Sequence, residues 1–160
     1  MSPYATNTTA EQRLRDLGID LSHPPRPLGA YVEAVQTGSL LFLSGTLPLE
    51  GGTPKFVGRV GDELSIEDGR HATHLAALNA LAAAREHLGS LDRVTREVRL
   101  AVSLCTTTEF RQHARVANAA SELLATVFGA DRTPTRMVYG VASLPVGVCV
   151  VVELILEVSM

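Results

Sequence analysis

The chain has 160 residues, enough for one domain that buries its own core without disulfides or a structural metal. A formal net charge of -3 with 19% charged residues offers no basic field for nucleic acid, and a 46% hydrophobic content without Trp suits tight packing of Ala, Val and Leu rather than an aromatic ligand cage. The longest apolar stretch, Val146 to Leu156, is interrupted by Gly147 and Glu153 and is too short for a membrane helix, so no membrane association is expected. Met1 to Ala10 carries neither the basic nor the apolar region of a secretory leader, and Cys105 and Cys149 sit in separate apolar runs that read as reduced core thiols. Both features point to a cytoplasmic protein.

In chain order, Thr8 or Thr9 followed by Glu11 or Gln12 is a capping-box pattern, which predicts a short helix through Leu14 and Leu17 to Gly18. His23 to Pro27 holds three prolines and reads as an extended arm, so residues 1–27 form a helix and arm ahead of one globular unit over 28–160. Tyr31 to Gln36 and Leu40 to Ser44 predict a hairpin closed by Thr37-Gly38-Ser39. Glu50 to Pro54 is turn chemistry, followed by a brief strand around Lys55 to Val57 and a loop from Gly58. Ser65 caps a long helix with Leu75, Leu78, Leu81 or Ala82, and Leu88 at helical spacing, with Glu67 and Asp68 at its start and Gly89 after its end.

Val94 to Leu104 alternates, with Val94, Arg96, Val98, Leu100, Val102 and Leu104 on one side, which predicts a strand buried on that side. Thr107 or Thr108 is placed to cap a second long helix, whose Val116, Ala120, Leu123, Leu124 and Val127 form an apolar stripe before Gly129. Arg136 to Val141 and Val148 to Val158 read as strands, the second central because only Glu153 interrupts its two apolar faces. This order predicts an α+β fold, a mixed sheet with two long helices on one face. The uncovered sheet face is most simply buried by copies of the same chain in a closed ring.

Arg136 stands out, because it enters an otherwise apolar strand and its planar fork suits a carboxylate. Either a bound anion or an internal partner such as Glu153 would satisfy it.

Pro134-Thr135-Arg136, Val141 to Pro145 and Val152-Glu153-Leu154 together resemble the C-terminal signature of the Rid family, also called YjgF or L-PSP proteins. Gly29-Ala30-Tyr31, Phe42 to Pro48 and Val116 to Ala119 resemble its upstream segments, so the likeness runs from Leu28 to Val158 in order. The N-terminal helix and Leu91 to Val94 are similar to a longer subgroup. The resemblance implies a chorismate-mutase-like fold, a homotrimer with clefts between subunits, and addition of water to a 2-imino acid or its enamine tautomer, releasing ammonia and a 2-keto acid. It places Arg136 on the substrate carboxylate, with Tyr31, Ser44, Gly45 and Asn118 lining the cleft and the backbone near Gly45 and Val138 orienting water. It calls for no metal and no cofactor.

The sequence departs from the active pattern at two positions. The family's acidic position on the last strand falls on Val151, which moves no proton, and its frequent cysteine falls on Val138. Glu153 shares the strand face of Val151 and is the candidate carboxyl for proton handling, though two residues along a strand is about 6–7 Å. His71 and His74, with Glu67, lie at helical spacing and read as a solvated face rather than a metal site. Three functions remain open at this level. They are an imine deaminase, a protein of the same fold doing condensation, cyclisation or tautomerisation, and a regulatory trimer that binds a carboxylate.

Overall fold

The structure is a computed structural model that describes residues 8–160; the first part of the polar N-terminal segment, residues 1–7, lies outside the described residues. The elements are α1 (Ala10–Asp16), β1 (Ala34–Thr37), β2 (Leu40–Leu43), β3 (Leu49–Glu50), β4 (Thr53–Pro54), α2 (Ile66–Leu88), β5 (Val94–Cys105), α3 (His113–Phe128), β6 (Thr135–Val141) and β7 (Val150–Val158). Five strands form one sheet in the order β1-β2-β7-β5-β6, parallel only between β5 and β6, and β3 pairs with β4 as a separate small hairpin. No helix among the described residues is long and apolar enough to cross a membrane.

The α2 helix begins with a capping box, Ser65 accepting from the Asp68 amide while Asp68 accepts from the Ser65 amide, and ends on Gly89 in the left-handed region. Its buried side is mostly alanine, with Ala72, Ala76, Ala80 and Ala84 fully buried, so the helix lies close against the sheet. Leu100, Val102, Val152, Leu154 and Leu156 meet α2 and α3 in a single core, which places both helices on one face. The α1 helix is capped by Thr9, which accepts from the Gln12 amide at 3.2 Å. Glu11 has a different role from the predicted box: it is buried and accepts from the Leu91 amide at 2.9 Å and from Arg85 Nε at 3.0 Å, tying α1 to the end of α2.

Several boundaries differ from expectation. The first strand is only Ala34–Thr37, because residues 28–33 turn sharply. The strand expected at Lys55 to Val57 is replaced by the β3–β4 hairpin, leaving Val57 only an isolated bridge to Val148. The α3 helix starts at His113 with Gln112 as an uncapped N-cap residue, since Thr107 to Phe110 close a separate turn in which the Phe110 amide donates to the Thr107 carbonyl at 3.2 Å. Cys105 and Cys149 are buried free thiols, as expected, and burial pushes the Cys149 thiol up to about 12.

The strict alternation of β5 also breaks. Two bulges, between Val94 and Arg96 and between Glu97 and Arg99, each set an extra residue of β5 against β7. The two insertions cancel, so Val94 and Leu100 both face inward, but Glu97 turns inward between them while Arg96 is exposed. Glu97 is 2% exposed, and neither carboxylate oxygen has a hydrogen-bond partner among the described residues. Burial raises its carboxyl from 4.5 to about 7, with Arg132 pulling the other way and Asp131 adding to the rise.

A carboxyl raised on folding stabilises the fold in its protonated form, so this contribution is present at low pH and is lost as pH climbs through about 7. Glu97→Gln should therefore raise the thermal midpoint at about pH 8 by several degrees and change it little at about pH 4.5. An equal fall at both pH values in paired melts would show that the fold needs the charged carboxylate instead.

Candidate functional site

The expected site residues fall into two groups on opposite faces of the sheet. The first lines a cavity of about 520 Å³ at the end of the open face where β7 begins. Its apolar wall is Leu28, Leu47, Leu144, Pro145 and Val151; Tyr31, Ser44 and Ser103 supply the polar atoms, and Gly29 and Gly45 supply bare backbone.

Local hydrogen bonds fix this wall. The Tyr31 amide donates to the Gly29 carbonyl at 3.0 Å, and the Leu28 amide donates to Tyr31 Oη at 3.1 Å, folding the ring back over Gly29. Ser44 donates its amide to the Glu33 carbonyl at 2.8 Å and its hydroxyl to the Val32 carbonyl at 2.5 Å. Thr46 exchanges backbone hydrogen bonds with Val152 at 2.8 and 3.0 Å, and Asn79 Nδ2 donates to the Leu47 and Leu49 carbonyls at 2.8 and 3.0 Å. The segment from Ser44 to Leu49 is thus pinned to both β7 and α2. Beside it, Val146 holds φ at 51°, a costly left-handed conformation for a β-branched residue, in the turn that presents Leu144 and Pro145.

Gly45 admits no side chain. A Cβ built there would stand 2.7 Å from Val151 Cγ1 and 3.9 Å from Glu153 Cγ, so the Val151 methyl occupies the space in front of the glycine. Glu153 flanks this contact as an exposed residue outside the cavity lining.

The second group lies along the seam between α3 and β6. Arg136 is opposite Leu100, which is opposite Leu154, so its side chain leaves the sheet on the helix side. Nη1 donates to Asn118 Oδ1 at 2.7 Å and to Ser121 Oγ at 3.1 Å. Those bonds use both Nη1 protons and leave Nε and Nη2 as a free planar fork. No carboxylate among the described residues lies within ion-pair distance of Arg136. The internal pairing with Glu153 is ruled out by the pleat, because Glu153 is opposite Ala101 and points to the other face. Arg136 is also exposed rather than buried in the single chain. Val138 turns its half-buried side chain toward the core, while β6, as an edge strand, presents unpaired backbone groups outward.

One chain therefore gathers Tyr31, Ser44, Gly45 and Val151, gathers Arg136, Asn118 and Val138 separately, and keeps the two sets apart. Ser121 and Ser103 were missed. Ser121 lies one helical turn beyond Asn118, a spacing that could have found it, whereas Ser103 meets Val151 only through the β5–β7 register, which the sequence does not show.

A mixed five-stranded sheet with two helices on one face and these paired surface features defines a small α+β protein of the chorismate-mutase-like kind. The sequence matches the YjgF/chorismate_mutase-like family, whose description also names an endoribonuclease, over residues 11–158. The chain belongs to this family, that of the Rid proteins. It is 35% identical to Protein TCP17 of Trypanosoma cruzi over 99% of both chains. Among solved structures, the protein Atu1372 of unknown function from Agrobacterium tumefaciens is 33% identical, with a TM-score of 0.83 over 95% of this chain and 93% of that one. A crystal structure from Shewanella oneidensis MR-1 is 30% identical, with a TM-score of 0.89 over 94% of this chain and 99% of that one.

The contact between Gly45 and Val151 makes a quantitative expectation. Gly45→Ala should cost about 1–3 kcal/mol in urea unfolding, as overpacking does, and Val151→Ala in the same chain should recover part of that loss. Strict additivity of the two substitutions would mean that the backbone moves apart and the contact constrains nothing.

Proposed function

We propose that this chain forms a homotrimer that binds a small carboxylate-bearing imine or enamine between subunits and hydrolyses it to the 2-keto acid. The observation that carries this reading is the Arg136 fork, held by two neutral oxygens and neutralised by no carboxylate among the described residues. A guanidinium oriented this way and left unpaired is suited to a ligand's carboxylate. Because the cavity around Tyr31 and Gly45 opens on the other face of the sheet, a substrate gripped by Arg136 reaches it only on a neighbouring copy. The open face also carries exposed Val35, Phe42, Met137 and Tyr139, a surface suited to cover by another subunit. Escherichia coli TdcF, 22% identical with a TM-score of 0.59, was crystallised with bound serine, a small amino carboxylate.

In this mechanism Arg136 holds the carboxylate and thereby fixes the adjacent C=N carbon, with Asn118 and Ser121 keeping the fork in place. Water adds its oxygen to that carbon and one proton passes to the nitrogen, giving a carbinolamine; the hydroxyl then gives up its proton to the nitrogen as C=O forms and the C–N bond breaks, releasing ammonia and the keto acid. The imine is already electrophilic, so orientation supplies much of the acceleration. Glu153 is the nearest carboxyl on the strand face and handles protons through an intervening water. The Val151 methyl against Gly45 favours a second reading, in which the cleft excludes water and the same grip serves a tautomerisation or condensation.

Light scattering at micromolar concentration should give three times the chain mass; a stable monomer would remove the basis for a shared cleft. The chemistry is tested by generating 2-iminopropionate in situ with an amino-acid oxidase and following its decay. Wild-type protein should accelerate decay, Arg136→Gln should abolish the effect while keeping the fold, and Val151→Glu should raise the rate, since a positioned acid or base is worth about 10²–10⁴-fold. Retained binding of keto acids with no acceleration by either wild type or Val151→Glu would transfer the assignment to the second reading.

A further inference from the structure

We propose that the cleft selects substrates with a large hydrocarbon side chain, of leucine to phenylalanine size, over those with small, polar or charged side chains. This rests on the reading of Arg136 as the carboxylate grip, and it follows from what the cavity offers to the rest of the molecule. No charged side chain among the described residues lines it, and five of its ten lining residues are Leu28, Leu47, Leu144, Pro145 and Val151. Its few polar groups are partly spent, since the Ser44 hydroxyl donates to the Val32 carbonyl and Tyr31 Oη already accepts from the Leu28 amide. An ammonium or second carboxylate entering here would lose its hydration without gaining a partner, whereas methyl, isobutyl or benzyl carbon gains by burial.

Size points the same way. The hollow is open to solvent in the single chain, and its volume of about 520 Å³ leaves room beside Tyr31 and Gly45 for a side chain larger than a methyl group. Val151 sets the character of the wall, because an acid at that position would put a charge where a methyl now meets Gly45. Val151, one of the two departures from the active pattern, thus adds hydrocarbon to the wall where it meets Gly45.

The test is a series of stable 2-oxo acids, measured by titration calorimetry on the full-length assembled protein. Affinity should rise from pyruvate to the isobutyl acid derived from leucine by at least about tenfold, hold or rise further for phenylpyruvate, and fall for 2-oxoglutarate. Leu28→Ser, at a residue 51% exposed and so tolerant of substitution, should flatten the series. A flat or inverted series that still depends on Arg136, as judged with Arg136→Gln, overturns this inference and leaves the carboxylate grip standing. Binding that ignores Arg136, or no binding of any acid, overturns both.

Discussion

A strand sends successive side chains to opposite faces of its sheet, and this pleat governs the candidate site. Arg136 shares the helix face with Leu100 and Leu154, whereas Glu153 and Val151 share the open face with Ala101 and Ser103. No rotamer change brings the guanidinium across the sheet to the cavity, so the two polar features of the chain cannot act together within one copy. The same register that builds the core thus divides the chemistry.

The division is matched by how each half is held. Asn118 and Ser121 occupy both protons of one Arg136 nitrogen, which costs the arginine its rotational freedom before any ligand arrives and leaves only the fork to be satisfied. On the other face, Thr46 and Asn79 fasten the loop after β2 to β7 and α2, and Ser44 fastens the segment that carries Tyr31. Both are fixed by contacts within one copy. In the proposed trimer, assembly then juxtaposes two prepared surfaces rather than folding a new one, and the exposed apolar residues of the open face supply the free energy.

The sequence made the long-range plan legible because it rests on strong periodic signals. The Ser65 cap, the Gly89 stop, the apolar stripe of α3 and the two-faced apolarity of β7 each survive into the structure, whereas the leucine spacing of α2 marks the helix but not its packed face, which is alanine, with Leu75 and Leu78 only half-buried. What failed depends on single-residue events. The two bulges of β5 cancel over six residues, so simple alternation from Val94 to Leu104 looks unbroken at its ends while Glu97 and Arg96 exchange faces between them. The α3 helix starts later than a cap at Thr107 or Thr108 predicts because Thr107 to Phe110 close a backbone turn of their own, the Phe110 amide donating to the Thr107 carbonyl. At the site, Arg136 could be singled out as an arginine lacking an obvious partner, but which face it takes follows from the β5–β6 register, and no local pattern encodes that. The motifs around Tyr31 and Gly45 were visible only through resemblance.

Val151 shows how one substitution can bear on both packing and chemistry. Gly45 is small because the chain passes within contact distance of the β7 side chain opposite, and any residue at 151 must therefore fill the gap beside a bare backbone. Valine fills it with carbon. The packing need is met, and the satellite core of Leu47, Leu49 and Val148 continues through Val151 and Leu144 to the cavity surface. An ionised group at 151 would interrupt that surface and bring a desolvation cost against the same neighbours. The strained Val146 turn lies on this same rim, where the Gly58 amide donates to the Gly147 carbonyl at 3.0 Å and closes the turn against the body. Strain of that kind persists only where surrounding contacts over-determine the conformation, and here the contacts it serves are those that place Leu144 and Pro145 beside Val151. The backbone has thus been held in a costly shape to present hydrocarbon, a physical commitment to an apolar wall.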